Sequence, residues 1–313
     1  MKPRGNDVDN NIDDPVVDAA DRTVDAKPCI DCTICSEGSL DDAKEMKSVA
    51  CNVREFKHES FTVWRCQACG SLHCKEPIDF DRYYANYPLD DQKLKYLTRV
   101  SYQNRIKILR RAKISKPDSI LDYGCGGGLF LRYLNSRGFD RAIGFDPFCP
   151  EYRNKPDDDQ KFDAVYSFGV IEHVPDPRDF LRQQRRLVHP TGTVLIATPN
   201  ADGLSLSVPD GLLMHQPYHR HIFSLNGLRR LAVDEGLELV RSENRNWLDT
   251  IHPGMNSRFV TDYIEKNGGI IDALFEKRNF GKFLTTPRLW VSFWFGYFFP
   301  PTGYMICQFR PAA

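Results

Sequence analysis

The residues Asp122-Tyr123-Gly124-Cys125-Gly126-Gly127-Gly128 join an apolar run, Ser119-Ile120-Leu121-Asp122, to an amphipathic stretch from about Leu129 to Arg137. Glycines at such a strand-to-helix turn let the backbone bend sharply and approach a ligand closely. A dinucleotide fingerprint would carry glycine where Leu129 stands, and Asp122 would set a carboxylate near a pyrophosphate of its own sign. The charges therefore favour a cationic ligand. Further on, Ile143-Gly144-Phe145-Asp146 ends a second apolar run with an acid able to accept hydrogen bonds from both hydroxyls of a ribose. S-Adenosylmethionine, which carries an ammonium, a sulfonium and a ribose, suits this pair better than a nicotinamide dinucleotide.

A second constellation precedes it. Seven of the ten cysteines lie between Cys29 and Cys74, and in a reducing compartment such clustering points to metal binding more than to disulfides. Cys32-Thr33-Ile34-Cys35 and Cys66-Gln67-Ala68-Cys69-Gly70 have the spacing that lets two thiolates grip one side of a tetrahedral zinc. Four thiolates leave no open position for water, so such a zinc is structural. Cys29, Cys51 and Cys74 are alternative ligands that spacing alone does not eliminate.

The third group is His215-Gln216-Pro217-Tyr218-His219-Arg220-His221. An imidazole with its ordinary pKa near 6.5 can take a proton at neutral pH, so one of these histidines is a candidate base, while all three could equally order the loop. The run Leu289–Phe299 is strongly aromatic, but Pro300-Pro301 cuts it to a length too short to span a bilayer. Core packing is its default reading; an apolar acceptor pocket, a homodimer contact or an interfacial membrane contact are the rivals.

These groups need a scaffold. A chain of 313 residues can hold one α/β domain and a smaller module, and its 42 basic residues balance 42 acidic ones, which disfavours a basic nucleic-acid binder. The first residues lack the apolar core of a signal peptide and no long apolar span follows, so a cytoplasmic protein without a transmembrane segment is expected. Residues 1–27 carry seven Asp and no periodicity, which predicts a disordered acidic tail. Residues 28–76 form the cysteine module, with a strand over 61–66, and 77–118 an aromatic linker with a helix from Leu94 to Ala112. From 119 to 313 strands and helices alternate: strands at 142–145, 162–166, 193–197 and 237–241, helices at 178–187 and 226–235, and a last strand near 303–309. That alternation predicts an α/β fold, a Rossmann-like mostly parallel sheet with helices on both faces.

With these residues in view the chain resembles the class I S-adenosylmethionine-dependent methyltransferases, within them the bacterial small-molecule and quinone-biosynthesis group. The resemblance runs through Ile120–Leu131, Ala142–Pro147, the stretch Phe162-Asp163-Ala164-Val165-Tyr166-Ser167-Phe168-Gly169-Val170-Ile171-Glu172-His173-Val174, and Leu187–Gly192 leading to Thr198-Pro199-Asn200. It implies that the turn, Asp122, Gly124, Cys125, Gly126 and Gly128, lines the methionine end of the cofactor, that Asp146 holds the ribose, and that Ser167 and Phe168 face the sulfonium. It also implies that His219 sits beside the acceptor, with Glu172 and His173 in a packing role. Trp64, Arg65 and Gly70 around the second cysteine pair resemble the zinc ribbon that precedes some members, with Cys32, Cys35, Cys66 and Cys69 as ligands. One departure is plain: only fifteen residues separate Asp146 from Phe162, where relatives fit a helix, a strand and an acid for the adenine. The expected function is methyl transfer to a small-molecule acceptor, by O-methylation, with insertions near 201–224 and 244–289 shaping the acceptor side. The rivals are a zinc-dependent scaffold on a degenerate methyltransferase fold and, weakened by Leu129, an oxidoreductase.

Overall fold

A computed structural model describes residues 27–85, 94–207, 211–276, 281, 283, 285–301 and 303–312. The acidic tail, apart from Lys27, and the linker residues 86–93 lie outside them.

The larger sheet holds six strands: β4 (Ile120–Tyr123), β5 (Ala142–Phe145), β6 (Phe162–Phe168), β7 (Val188–Pro199), β9 (Leu237–Glu243) and β10 (Tyr304–Pro311), in the order β5-β4-β6-β7-β10-β9. Pairing is parallel from β5 through β7, and β10 slots antiparallel between β7 and β9. All four residues of β4 are buried, as expected of a central strand covered on both faces. One apolar layer takes Tyr102, Ile106 and Leu109 of α2 (Tyr96–Arg111) with Phe130 and Leu134 of α3 (Leu129–Asn135). The other takes Phe180, Leu181 and Leu187 of α4 (Pro177–Leu187) with Leu228 and Leu231 of α6 (Leu225–Asp234), and continues without a break into Cys32, Cys35, Cys66 and Cys69.

Local chemistry sets these boundaries. Asp176 accepts the N–H groups of Arg178 and Asp179, Pro177 supplies the fixed first-turn φ, and Phe180, Leu181, Gln184 and Leu187 form the buried stripe of α4. Between Asp146 and Phe162 there are turns with no strand or helix, so the short spacing does remove a crossover.

The smaller sheet has the order β1-β2-β3-β8, all antiparallel: β1 (Met46–Ala50), β2 (Ser60–Arg65), β3 (Leu72–Cys74) and β8 (His221–Ile222). Its fourth strand comes from the segment read as an acceptor-side insertion. Arg65 reinforces the junction by donating to the carbonyls of Gly70 (2.9 Å) and Leu204 (2.6 Å), and Arg178 binds Glu235 (3.0 Å) and the Ile34 carbonyl (3.3 Å).

One expectation is corrected. The aromatic run was expected to pack in the core, but in the helix Pro287–Phe295 only Leu289 and Ser292 are buried, and Trp294 and Phe298 are 51% and 72% exposed. The helix rests on α7 (Ser257–Lys266), with Phe293 against Phe259 at 5.2 Å, and Trp290 stacks on Phe283 at 5.3 Å.

Ser224 caps α6 by accepting from Gly227 N–H (2.8 Å) and donates to the Cys69 carbonyl (2.5 Å). Ser224→Ala is expected to lower unfolding free energy by about 0.5–2 kcal/mol in urea denaturation. An unchanged midpoint would show that neither bond matters.

Candidate active site and metal centre

The glycine turn lies where β4 ends and α3 begins. Gly124, Gly126 and Gly128 have φ of 88°, 53° and 67°, which L side chains rarely adopt. Gly124 and Gly128 are also crowded: an added Cβ would meet Val170 at 2.6 Å and the Tyr152 ring at 2.4 Å. Gly126 and Gly127 instead face open space, with nothing within 4 Å of an added Cβ. The turn is thus braced from behind and bare in front, the shape a ligand needs for close approach to backbone.

Two carboxylates flank it. Asp122 is buried, and desolvation pushes its carboxyl up to about 7, opposed by the Tyr166 hydroxyl and the buried Arg105 guanidinium. Asp146 accepts Gly126 N–H at 2.8 Å through one oxygen and Phe148 N–H at 2.9 Å through the other, which fixes the carboxylate while leaving it lone pairs for further donors. Cys125 is part of the turn, but its sulfur packs where a Cβ on Gly144 would stand, 2.7 Å away. Ser167 does not turn its hydroxyl to this site; it is buried and accepts from Gln184 Nε2 of α4 at 3.3 Å. Phe168 does face forward, stacked on Trp247 at 5.8 Å.

Arg105 and Trp247 escaped the sequence reading. The Arg105 guanidinium is buried 5.1–5.6 Å from the centroids of Tyr102, Phe130, Phe168 and Trp247 and close to Asp122. A cation on α2 and an indole more than 140 positions later share no periodic signal. Phe148, 67% exposed beside Asp146, was missed for the same reason. Asp157, Asp158 and Asp159 are exposed, in a loop where Gln160 N–H closes a turn on the Asp157 carbonyl.

Past Phe168 the site continues to Glu172. An added Cβ on Gly169 would sit 3.6 Å from the Glu172 carboxyl and 3.2 Å from Trp247. Glu172 accepts from Thr198 Oγ1 (2.9 Å), and burial raises its pKa to about 8. A Glu172 oxygen and one ring nitrogen each of His173 and His219 lie within 4.8 Å of one another, a two-histidine, one-carboxylate set that could share a proton or hold a divalent cation. His219 is 4% exposed, its Nδ1 stands 2.6 Å from the Leu213 carbonyl, and burial lowers its pKa well below the ordinary value. With Nδ1–H donating to that carbonyl, Nε2 carries the lone pair. His215 meets Asn52 Oδ1 at 2.6 Å and His221 meets His73 at 3.1 Å, so these two histidines tie the loop to the cysteine module.

In that module the sulfurs of Cys32 and Cys69, Cys32 and Cys35, and Cys35 and Cys66 are 3.7, 3.5 and 3.7 Å apart. Sulfurs bound at about 2.3 Å to one tetrahedral zinc would stand about 3.8 Å apart, so the four fit such an ion. All four are buried, Cys35 N–H points at the Cys32 sulfur (3.4 Å), and a Cβ on Gly38 would lie 2.5 Å from the Cys66 sulfur. Cys51 and Cys74 lie in another apolar cluster, and Cys29 is not among the four.

Comparison with known proteins agrees with this geometry. Residues 96–242 match the family profile described as a methyltransferase domain. A 118-residue stretch, 28% of this chain, is 29% identical to 37% of the mitochondrial ubiquinone biosynthesis O-methyltransferase of Dictyostelium discoideum. Over 155 residues, 42% of the chain, it is 30% identical to 61% of the ubiquinone biosynthesis O-methyltransferase of Cereibacter sphaeroides. Over 178 residues, 48% of the chain, it is 25% identical to 52% of the tRNA U34 carboxymethyltransferase of Alteromonas mediterranea. The chain thus spans less than two thirds of the length of each of these relatives. Within the α/β region, residues 96–242 are thus similar to methyltransferase domains.

Gly127 has ordinary φ and an unobstructed Cβ position. Gly127→Ala is therefore expected to leave the melting temperature unchanged while weakening cofactor binding at least tenfold in calorimetry. Full affinity would place the ligand elsewhere.

Proposed function

We propose that this protein binds S-adenosylmethionine across the glycine turn and transfers its methyl group to a hydroxyl of a small-molecule acceptor. The observation that carries this reading is the bare Gly126–Gly127 surface between Asp122 and Asp146 on a domain of the methyltransferase class. In this reading Asp146 accepts from the ribose hydroxyls, Phe148 offers its face to the adenine, Asp122 counters the ammonium, and Arg105 pairs with the carboxylate of the methionine end. Phe168 and Trp247 wall the sulfonium, and their apolar faces exclude water from the reacting line. Ser167 serves by ordering α4 behind β6, and Cys125 by filling space against Gly144.

The reaction is an in-line displacement. The acceptor oxygen attacks the methyl carbon, the sulfur–carbon bond breaks, the sulfonium becomes a neutral thioether, and the hydroxyl proton must leave. His219, neutral at pH 7 and with Nε2 free of its backbone bond, is placed to take that proton in the Glu172–His173–His219 set. Alignment supplies most of the rate, and the base the remainder. Balanced charge supports a small acceptor over nucleic acid. The four-cysteine cluster is read as a structural zinc site, and the exposed aromatic helix as a homodimer contact. Among the described residues no helix is long and apolar enough to cross a membrane.

Asp146→Ala is expected to weaken S-adenosylmethionine binding by about 1.5–3 kcal/mol, roughly ten- to hundredfold, in calorimetry; unchanged affinity removes the ribose role. His219→Ala should lower turnover about 10²–10⁴-fold with cofactor affinity nearly intact, read by single-turnover kinetics on the acceptor. If turnover is unaffected, His219 is not the base. Protein prepared without chelator should keep zinc through gel filtration, and Cys66→Ser should lose one ion per chain and unfold at lower temperature. Zinc-free wild-type protein that melts normally would end the structural zinc assignment.

A further inference from the structure

A second group of donors lies outside the four cysteines. Cys29, His73 and His221 place a sulfur and two ring nitrogens within 4.8 Å of one another, with both histidines buried. The three come from separate parts of the chain. Cys29 is held beside the end of β3 by its N–H bond to the Lys75 carbonyl (2.8 Å), His73 is in β3, and His221 is its cross-strand partner in β8.

The histidine pair has the geometry of co-ligands. The two Nδ1 atoms are 3.1 Å apart, and nitrogens bound at about 2.0–2.1 Å to one tetrahedral zinc stand about 3.3 Å apart. Burial and the nearby Arg220 guanidinium push His73 down to about 3, and burial first, then His73 and Arg220, lower His221 as well, so both rings are neutral and can ligate. Supporting contacts fix the donors. Trp64 Nε1–H binds the Cys29 carbonyl (2.9 Å), the Trp64 ring lies 4.7 Å from that of His73, and the carbonyls of Pro175 and Val174 face His221. Such outer contacts orient ligands in metal sites.

We propose that Cys29, His73 and His221 bind a second zinc ion, with an exogenous fourth ligand, which clasps the cysteine module to the strand leading out of the His219 loop. Binding releases the Cys29 thiol proton to solvent. Among the described residues no fourth side chain joins the set, so a water completes the coordination. The ion would stiffen the catalytic side directly, because His221 N–H donates to the Glu172 carbonyl at 3.2 Å. This assignment is independent of methyl transfer.

The test is metal counting on the full chain, purified without chelator. Two zinc ions per chain are expected in the wild type, one in Cys29→Ser/His73→Asn, and two in His219→Gln. One ion in the wild type, lost in Cys66→Ser, would leave the four-cysteine site standing and overturn the second. Two ions retained in Cys29→Ser/His73→Asn, or one lost in His219→Gln, would move the second ion to Glu172–His173–His219 and overturn it equally. If the double variant fails to fold, cobalt-loaded His221→Cys decides. Two ions with stronger thiolate-to-cobalt absorption than the wild type support the site, and an unchanged spectrum refutes it.

Discussion

The pairing of Leu72–His73 with His221–Ile222 is the constraint on which the rest of this molecule depends. A small cysteine module buries too little surface to stand firmly by itself, and here it borrows a strand from the larger domain. Once that strand is paired, the two apolar layers merge: Trp64 and the four cysteines share a cluster with Phe180, Leu228 and Met305. The same pairing pulls the segment 215–221 into the interior, where its polar atoms must find partners. His215, His221 and His219 each find one, in Asn52, His73 and the Leu213 carbonyl.

Burial of that segment has an electrostatic consequence. His173, His215, His219 and His221 are all pushed toward the neutral form, and Glu172 toward the protonated one. The region therefore stores lone pairs and protons in a low-dielectric pocket instead of fixed charge. Neutral imidazoles there keep lone pairs available to a ligand, while the same desolvation opposes their becoming charged when they take a proton.

At the other end of the site the logic is reversed. The glycine turn offers open space, and its charges, Asp122, Asp146 and Arg105, are set against one another across aromatic walls. A zwitterionic, cationic ligand matches that arrangement of fixed charge; a pyrophosphate would not.

Much of this could be read from the chain alone. The strand Ala142–Phe145, the first five residues of Phe162–Phe168, the helix behind Pro177 and the short passage from Asp146 to Phe162 follow from local periodicity, caps and counting, which are properties of neighbours in sequence. The Asp122–Gly128 turn was legible because positive φ at three positions demands glycine whatever surrounds it. The cysteine quartet was legible as two pairs, but choosing Cys32 over Cys29 needed the distances between sulfurs. The inward turn of Ser167, the exposure of Trp294 and Phe298, and the approach of Arg105 to Trp247 depend on which faces meet across more than a hundred residues, and no local pattern carries that. What the sequence determined is the type of each element and the chemistry it can offer; only the tertiary structure decided which of those groups lose their water and face one another, because desolvation and distance exist only once the chain is packed.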